Sequence, residues 1–420
     1  MKMEETKEVA VTTSNKVRNY LPPEIIFFIL SKLPLKSLKK FECVCKSWAA
    51  LFQNSYFMTI YRNNFISNSN HYDDTYLVLQ NGVGRERYYH GEYRFEFYLL
   101  PGQRFEDRIK IDWPTPFQVD DCGIYIMGMV SINGILCLNQ GYGRRLVLWN
   151  PTTREFKVIP RSPLVYVPPH RHPRHTLHGF GYDHVTDDYK VIRFVDSFLI
   201  FDENEEIVNE DRSSYEIFWE IYSLKSDSWR KLDVNIPNRY YYTLNRRIGV
   251  YTNGVCHWWA RTNNSPNFEE CLVSFDFSNE VLITTPMPSY LDVSIPLNLN
   301  RSLYLDDTFR FVERQLVLLN ESIALISTDS ETATIHISIL GEFGVRESWT
   351  KLFTIPCLPV IRYFIGVGNL SNIVFFKTND YKLACIDLNT KMIEELDFKV
   401  KQYAFVGKYK KNFLPIGGMN

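Results

Sequence analysis

The sequence predicts a mainly β protein with a small all-α unit at its amino-terminal side. Three short helices are expected over residues 20–65, then an irregular β-propeller-like domain over 75–415. Three observations lead there. Apolar residues recur at helical spacing only near the start of the chain. After about residue 75 short alternating strands take over, punctuated by Asn, Asp, Ser, Gly and Pro. One strand–turn–strand pattern then returns five times. A β-sandwich is the competing architecture.

The helical stretch opens on Pro22 and Pro23, and Pro23 suits a first helical turn because its missing N–H is not needed there. Ile25, Ile26, Phe28, Ile29, Leu30 and Leu33 follow at helical spacing, and Pro34 closes the helix. A second short pattern carries Leu35, Leu38, Phe41 and Val44, with Lys36, Lys39 and Lys40 on its other side. The third runs from Cys45 through Trp48, Leu51 and Phe52, with Cys43 expected as a small buried residue on a helix. A unit this small buries little surface on its own, so its apolar faces are expected to meet a partner as well. Residues 1–19 read as a disordered polar arm and 66–74 as a polar linker.

The β region repeats an apolar strand, an Asn, Asp or Ser turn, and a second strand ending at Pro in most copies. The copies are LVLWNPTTREFKVIP (146–160), WEIYSLKSDSWRKLDVNIP (219–237), LVSFDFSNEVLITTPMP (272–288), IHISILGEFGVRESWTKLFTIP (335–356) and KLACIDLNTKMIEEL (382–396). Each follows a further strand: GILCLNQ, DYKVIRFVD, GVCHWWA, SIALIST and NIVFFKTN. A repeated sheet of three to four strands points to a propeller or a related closed array, which limits exposed edges. The number of blades is not fixed by repeats this divergent. Trp149, Trp219, Trp229, Trp258, Trp259 and Trp349 sit at strand positions and are expected in the core.

Composition narrows the function classes. A net charge of −1 gives no electrostatic case for nucleic acid or an anionic membrane. The eight cysteines form no CxxC pair and several lie within apolar strand patterns, as expected of a reduced protein of the cytoplasm and/or nucleus. No phosphate loop, dinucleotide fingerprint or nucleophile elbow is present. His170, His172, His175 and His178 are too irregularly spaced for a zinc pattern and have no cysteine nearby. Neither metal nor cofactor is expected. The segment Arg161–His178 reads as a surface loop, with His170, Arg171, His172, Arg174 and His175 as candidate target contacts. The acidic segment Asp202–Asp211 reads as a solvated loop.

Two resemblances complete the reading. Leu21-Pro22-x-Glu24, Ile26, Ile29-Leu30, Leu33-Pro34, Leu38 and Val44-Cys45-Lys46-x-Trp48 resemble the F-box in order and spacing. The β region resembles the F-box associated interaction domain of plant F-box proteins, a plan that pollen S-locus F-box proteins share. The residues that carry this are Asn133-Gly134-Ile135-Leu136-Cys137, Leu148 to Arg154, Gly179 to Asp183, Asp188 to Val191, Ser226 to Trp229 and Glu347 to Lys351.

The resemblance implies a non-catalytic receptor subunit of an SCF-type ubiquitin ligase. The F-box docks a Skp-type adaptor, and through it a cullin–RING scaffold, while the β domain holds a target protein. The adaptor contacts it implies are Leu21, Pro22, Ile26, Ile29, Leu30, Leu33, Pro34, Leu38, Val44 and Trp48, with Leu30 and Trp48 also expected in the unit's own core. The alternatives are an enzyme on a propeller-like scaffold and a non-ligase F-box scaffold.

Overall fold

The computed structural model describes residues 21–33, 35–67, 75–83, 94–102, 105–114, 116–117, 123–140, 145–164, 171–199, 218–234, 249–261, 270–291, 314–329, 334–356, 361–368, 372–401, 404–412 and 415–416. Pro34, His170, the arm over 1–19 and the acidic segment 202–211 lie outside the described residues. The chain divides into two compact units, Met1–Ser69 and Asn70–Asn420.

The first unit contains four helices among the described residues. They are α1 (Pro23–Leu30), α2 (Leu35–Phe41), α3 (Lys46–Phe52) and α4 (Ser55–Ser67). The fourth was not anticipated, and it reaches into the expected linker. Its cause is local: the Asn54 side-chain oxygen accepts the Phe57 N–H at 3.1 Å, a favoured helix start. Phe57, Tyr61 and Asn64 then fall on one face and meet α1. Phe57 packs edge-to-face on Phe27, with ring centroids 5.1 Å apart. Tyr61 Oη donates to the Leu33 carbonyl, and Asn64 Nδ2 donates to the Ser31 carbonyl at 3.2 Å. Leu30, Leu38, Phe52, Phe57 and Tyr61 form the small core. Cys43 is exposed, contrary to expectation, because α2 ends at Phe41 and leaves it in the following turn.

The second unit holds six groups of four antiparallel strands among the described residues, and single parallel bridges from the last strand, Gly366↔Val406 and Lys408↔Val130, join the first, second and sixth groups into one larger sheet. The first combines β1 (Thr75–Val83), β2 (Arg94–Leu100) and β3 (Ile109–Ile111) with β24 (Phe405–Lys410), which comes from the far end of the chain. The second is β4 (Ile124–Ile132), β5 (Ile135–Gln140), β6 (Arg145–Asn150) and β7 (Glu155–Val158). The third is β8 (Arg171–Asp183), β9 (Asp188–Leu199), β10 (Phe218–Ser223) and β11 (Ser228–Leu232). The fourth is β12 (Val250–Thr252), β13 (Val255–Arg261), β14 (Glu270–Asp276) and β15 (Leu282–Pro286). β16 (Arg314–Leu319), β17 (Ser322–Asp329), β18 (Thr334–Leu340) and β19 (Trp349–Pro356) make the fifth. The sixth is β20 (Ile361–Val367), β21 (Ile373–Thr378), β22 (Lys382–Asp387) and β23 (Ile393–Lys399).

The innermost strands neighbour one another in the order β4, β8, β12, β16, β20, β24 and back to β4. Among the described residues that is a propeller of six blades, and it excludes the sandwich. β24 closes the ring by pairing with β1 from Thr75↔Lys410 to Gln80↔Phe405, so neither strand is left as an open edge. Apolar clusters fill the spaces between blades and take in Trp149, Trp219, Trp229, Trp258 and Trp349. Trp259 is half-buried.

The recurring turn now has a reason. Asn150, Asp276 and Asp387 end their strands and accept backbone N–H groups two or three residues on, at 2.7–3.0 Å. Ser223 does the same with the N–H of Ser226 at 3.2 Å. Four residues after each of these, Arg154, Asp227, Glu280 and Lys391 take positive φ and start the return strand. The short polar side chain stabilises the bend, so the pattern survives where the rest of the sequence diverges.

One predicted loop is a strand. Residues 171–178 belong to β8 and pair with β9, from Arg171↔Leu199 onward. Pro173 and three histidines argued against a strand, yet β8 is innermost in its sheet, so its other edge needs no ladder partner there and tolerates Pro. Of the candidate target contacts, Arg171, His172 and Arg174 have their backbone in this strand and their side chains outside the described set.

Candidate functional site

The first unit separates the apolar residues of α1 into two stripes. Phe27 and Leu30 face inward and pack beneath α4. Leu21, Ile25, Phe28 and Ile29 follow one another at spacings of four, three and one on the opposite side. They remain 54%, 46%, 59% and 45% exposed. Lys32 continues this stripe, with its ammonium 4.4 Å from the centre of the Phe28 ring. Three large apolar side chains exposed on one short helix, with Leu21 just before its start, are more than scattered surface hydrophobicity.

The expected contact residues sort accordingly. Leu21, Pro22, Ile29 and Val44 are exposed, and Val44 is 60% so. Ile26 and Leu33 are half-buried. Leu30 and Leu38 are buried in the unit's own core. Trp48 is half-buried, edge-to-face with Phe41 at 5.3 Å. Ile25 and Phe28 belong to the exposed stripe although the sequence reading did not single them out. Their spacing from Leu21 was the available signal. The exposed Cys45 thiol is drawn below its ordinary pKa by its hydrogen bond with Ser47 Oγ at 3.1 Å and by the Trp48 backbone.

In the propeller, the motif residues that carry the resemblance are structural. Asp183 accepts bonds from Lys190 Nζ at 2.7 Å, Ser278 Oγ at 2.6 Å and Thr186 Oγ1 at 2.5 Å. Burial pushes its carboxyl up, but these donors outweigh burial and hold it well below the usual carboxylate range. Trp229 Nε1 donates to the Pro160 carbonyl of the preceding blade at 2.8 Å. Trp349 Nε1 repeats the contact with Pro286 two blades on, at 3.1 Å. Asn150 Nδ2 donates to the Asn412 carbonyl at 2.7 Å, tying the second blade to the chain beyond β24.

His175 is half-buried in β8, and its Nδ1 has no hydrogen-bond partner among the described residues. Burial, then the nearby Arg193 guanidinium, lower its pKa to about 4. Arg193 itself is committed to Glu220 at 2.6 Å and lies 3.8 Å from the Trp229 ring centre. Ser162 Oγ also donates to Glu220, at 2.6 Å. Among the described residues there is no group of three or more His, Cys, Asp or Glu side chains that could hold a metal ion. No described helix is long and apolar enough to cross a membrane.

The two ends of the ring differ. At the end where Thr75 pairs with Lys410, most strands are joined by short turns, and side chains at those turns reach between blades. Lys157 to Asp227 at 2.7 Å and Ser278 to Asp183 are examples. The long connections β9–β10, β11–β12 and β15–β16 all leave from the opposite end. There Tyr363 and Tyr381 are half-exposed, and Lys377 Nζ lies 5.6 and 4.3 Å from their ring centres.

Among the described residues, a four-helix unit with an exposed apolar stripe is followed in the chain by a ring of six blades, a plan that fits the F-box class of protein. Comparison with known proteins agrees: residues 19–59 match the F-box domain and residues 94–416 the F-box associated beta propeller domain. The chain belongs to the F-box associated beta propeller family. F-box/WD-40 repeat-containing protein 1 of Arabidopsis thaliana is 26% identical over 392 residues, 90% of this chain and 79% of that protein. F-box/kelch-repeat protein At3g23880 of the same plant is 24% identical over 344 residues, 80% of each. F-box protein CPR1, also from Arabidopsis thaliana, is 26% identical over 281 residues, 64% of this chain and 63% of that protein. The chain thus spans less than two thirds of some relatives that it matches, 61% of another among them.

Proposed function

We propose that this chain is the target-receptor subunit of an SCF-type ubiquitin ligase, acting in the cytoplasm and/or nucleus. The exposed stripe Leu21–Ile25–Phe28–Ile29 is the observation that carries this reading. α1 already uses its other stripe for folding, so this one serves a second protein, a Skp-type adaptor that leads to a cullin–RING scaffold. The propeller binds the target, and its share in the reaction is proximity. Holding a target lysine near the charged conjugating enzyme raises the effective concentration of the two reactants.

Target docking falls to the end of the ring opposite Thr75. Support comes from the other end, where polar side chains are engaged in bonds between blades. Catalysis of ubiquitin transfer belongs to other subunits. Co-purification of the full chain with a Skp-type adaptor, and its loss on removal of residues 1–67, tests the docking half. Ubiquitylation reconstituted from purified subunits tests the ligase half, and adaptor binding that survives the truncation would refute the first.

A further inference from the structure

The charge of this protein is unevenly placed along the chain, and the bias falls in the helical unit that carries the apolar stripe. Between residues 21 and 67 stand Lys32, Lys36, Lys39, Lys40, Lys46 and Arg62 against only Glu24 and Glu42. That is a net +4 in a chain whose total is −1. Five of the six cations fall within residues 32–46, where Glu42 is the sole acid. Lys32, Lys40 and Lys46 are exposed, and Lys32 extends the stripe itself.

We infer that the protein surface which covers the Leu21–Ile25–Phe28–Ile29 stripe is acidic, and that these lysines steer it into place. This rests on the adaptor reading above and adds the chemistry of the adaptor's face. An excess of one sign on a small unit raises the encounter rate with a complementary surface and disfavours partners of like charge, even where the charges do not touch the docked patch. Nucleic acid fits less well, because phosphates satisfy the lysines and leave four apolar side chains in water. An anionic membrane fits less well too, because α1 is only eight residues long.

The test is the association kinetics of the full chain with a purified plant Skp-type adaptor. Between about 50 and about 500 mM salt, the association rate constant should fall by roughly tenfold or more, with the dissociation rate changing by less than about twofold. The double variant Lys40→Glu/Lys46→Glu should associate about fivefold more slowly at low salt and show a flatter salt dependence. Lys40→Arg/Lys46→Arg should keep the original rate. Lys32 is left in place because its loss would also disturb Phe28.

Normal binding with salt-independent association, or an unchanged rate in the Glu variant, overturns the steering inference and leaves the adaptor reading intact. Failure of the full chain to bind any Skp-type adaptor at any salt overturns both. Capture by phosphatidylserine vesicles or duplex DNA more tightly than by the adaptor also overturns the inference.

Discussion

The Lys190 ammonium lies 2.7 Å from the Asp183 carboxylate and also donates to the Phe277 carbonyl of the next blade, at 2.9 Å. Asp183 is fully buried and Lys190 nearly so. The pair is therefore a bolt between the third and fourth blades, and losing one member leaves the other charge stranded. Asp183→Ala should cost about 3–5 kcal/mol, read as a lower denaturant midpoint. The sign with pH follows from the depressed carboxyl. Its stabilising contribution is complete above about pH 4, the unfolded value, and is lost as pH falls below that toward the folded value. Wild-type protein should lose stability below about pH 4 more steeply than the Ala variant.

Burial alone holds the His257 imidazole at a pKa of about 3. Its Nδ1 lies 2.8 Å from Ser274 Oγ, and its ring stacks on Phe343 with centroids 5.2 Å apart. An unfolded histidine titrates near 6.5, so the unfolded state takes up the proton first. Stability contributed here is present above about pH 6.5 and declines as pH falls toward 3. In His257→Gln, midpoint-versus-pH curves should be flatter across that window. An unchanged slope would show that the imidazole is accessible.

Trp229 and Trp349 each donate to a proline carbonyl at the end of the preceding blade, Pro160 and Pro286. Replacing either with Phe keeps most of the packing but leaves a carbonyl unpaired, a cost of about 1–3 kcal/mol. Replacement by Ala should cost about 3–5 kcal/mol. Thermal melting of the four single variants separates the two contributions.

Ring closure depends on the chain end. Ile416 is buried among residues of the second and third blades, and Asn412 bonds to both Asn133 and Asn150. A Cβ on Gly366 would come 2.0 Å from the Val406 carbonyl oxygen in β24. Gly366→Ala should therefore displace the closing strand, and deletion from residue 411 onward should loosen it. Hydrogen exchange across β1 and β24 should rise in both variants, with the fifth blade little changed.

Within α1, stability and docking can be told apart. Ile25→Ser and Phe28→Ser alter exposed side chains and should change stability by less than about 0.5 kcal/mol. Both should weaken adaptor binding about tenfold or more, the effect of losing an interface anchor. Leu30→Ala should instead cost about 2–5 kcal/mol in folding. A Phe28→Ser protein that binds the adaptor normally removes the stripe from the docking surface.

Much of this molecule is legible from local pattern. The five hairpins, their Asx and Ser turns and the core tryptophans all follow from period and punctuation, because a turn is stabilised by residues two to four positions apart. The helical unit is legible for the same reason. α4 could have been found from Asn54 and the spacing of Phe57, Tyr61 and Asn64. The strand residues 171–178 could not, since the histidines and Pro173 are tolerated at an innermost position that long-range pairing creates.

By itself the sequence determined the two-part plan, the class of the helical unit and the place of each recurring turn. Only the tertiary structure decided that the described residues form six blades, that β24 returns to seal β1, and which apolar face of α1 is left over. Those outcomes depend on pairing between distant residues, and hydrophobic periodicity records that a side chain is buried without recording what buries it. The exposed stripe at Leu21, Ile25, Phe28 and Ile29 became visible once α4 had claimed the other side of the helix.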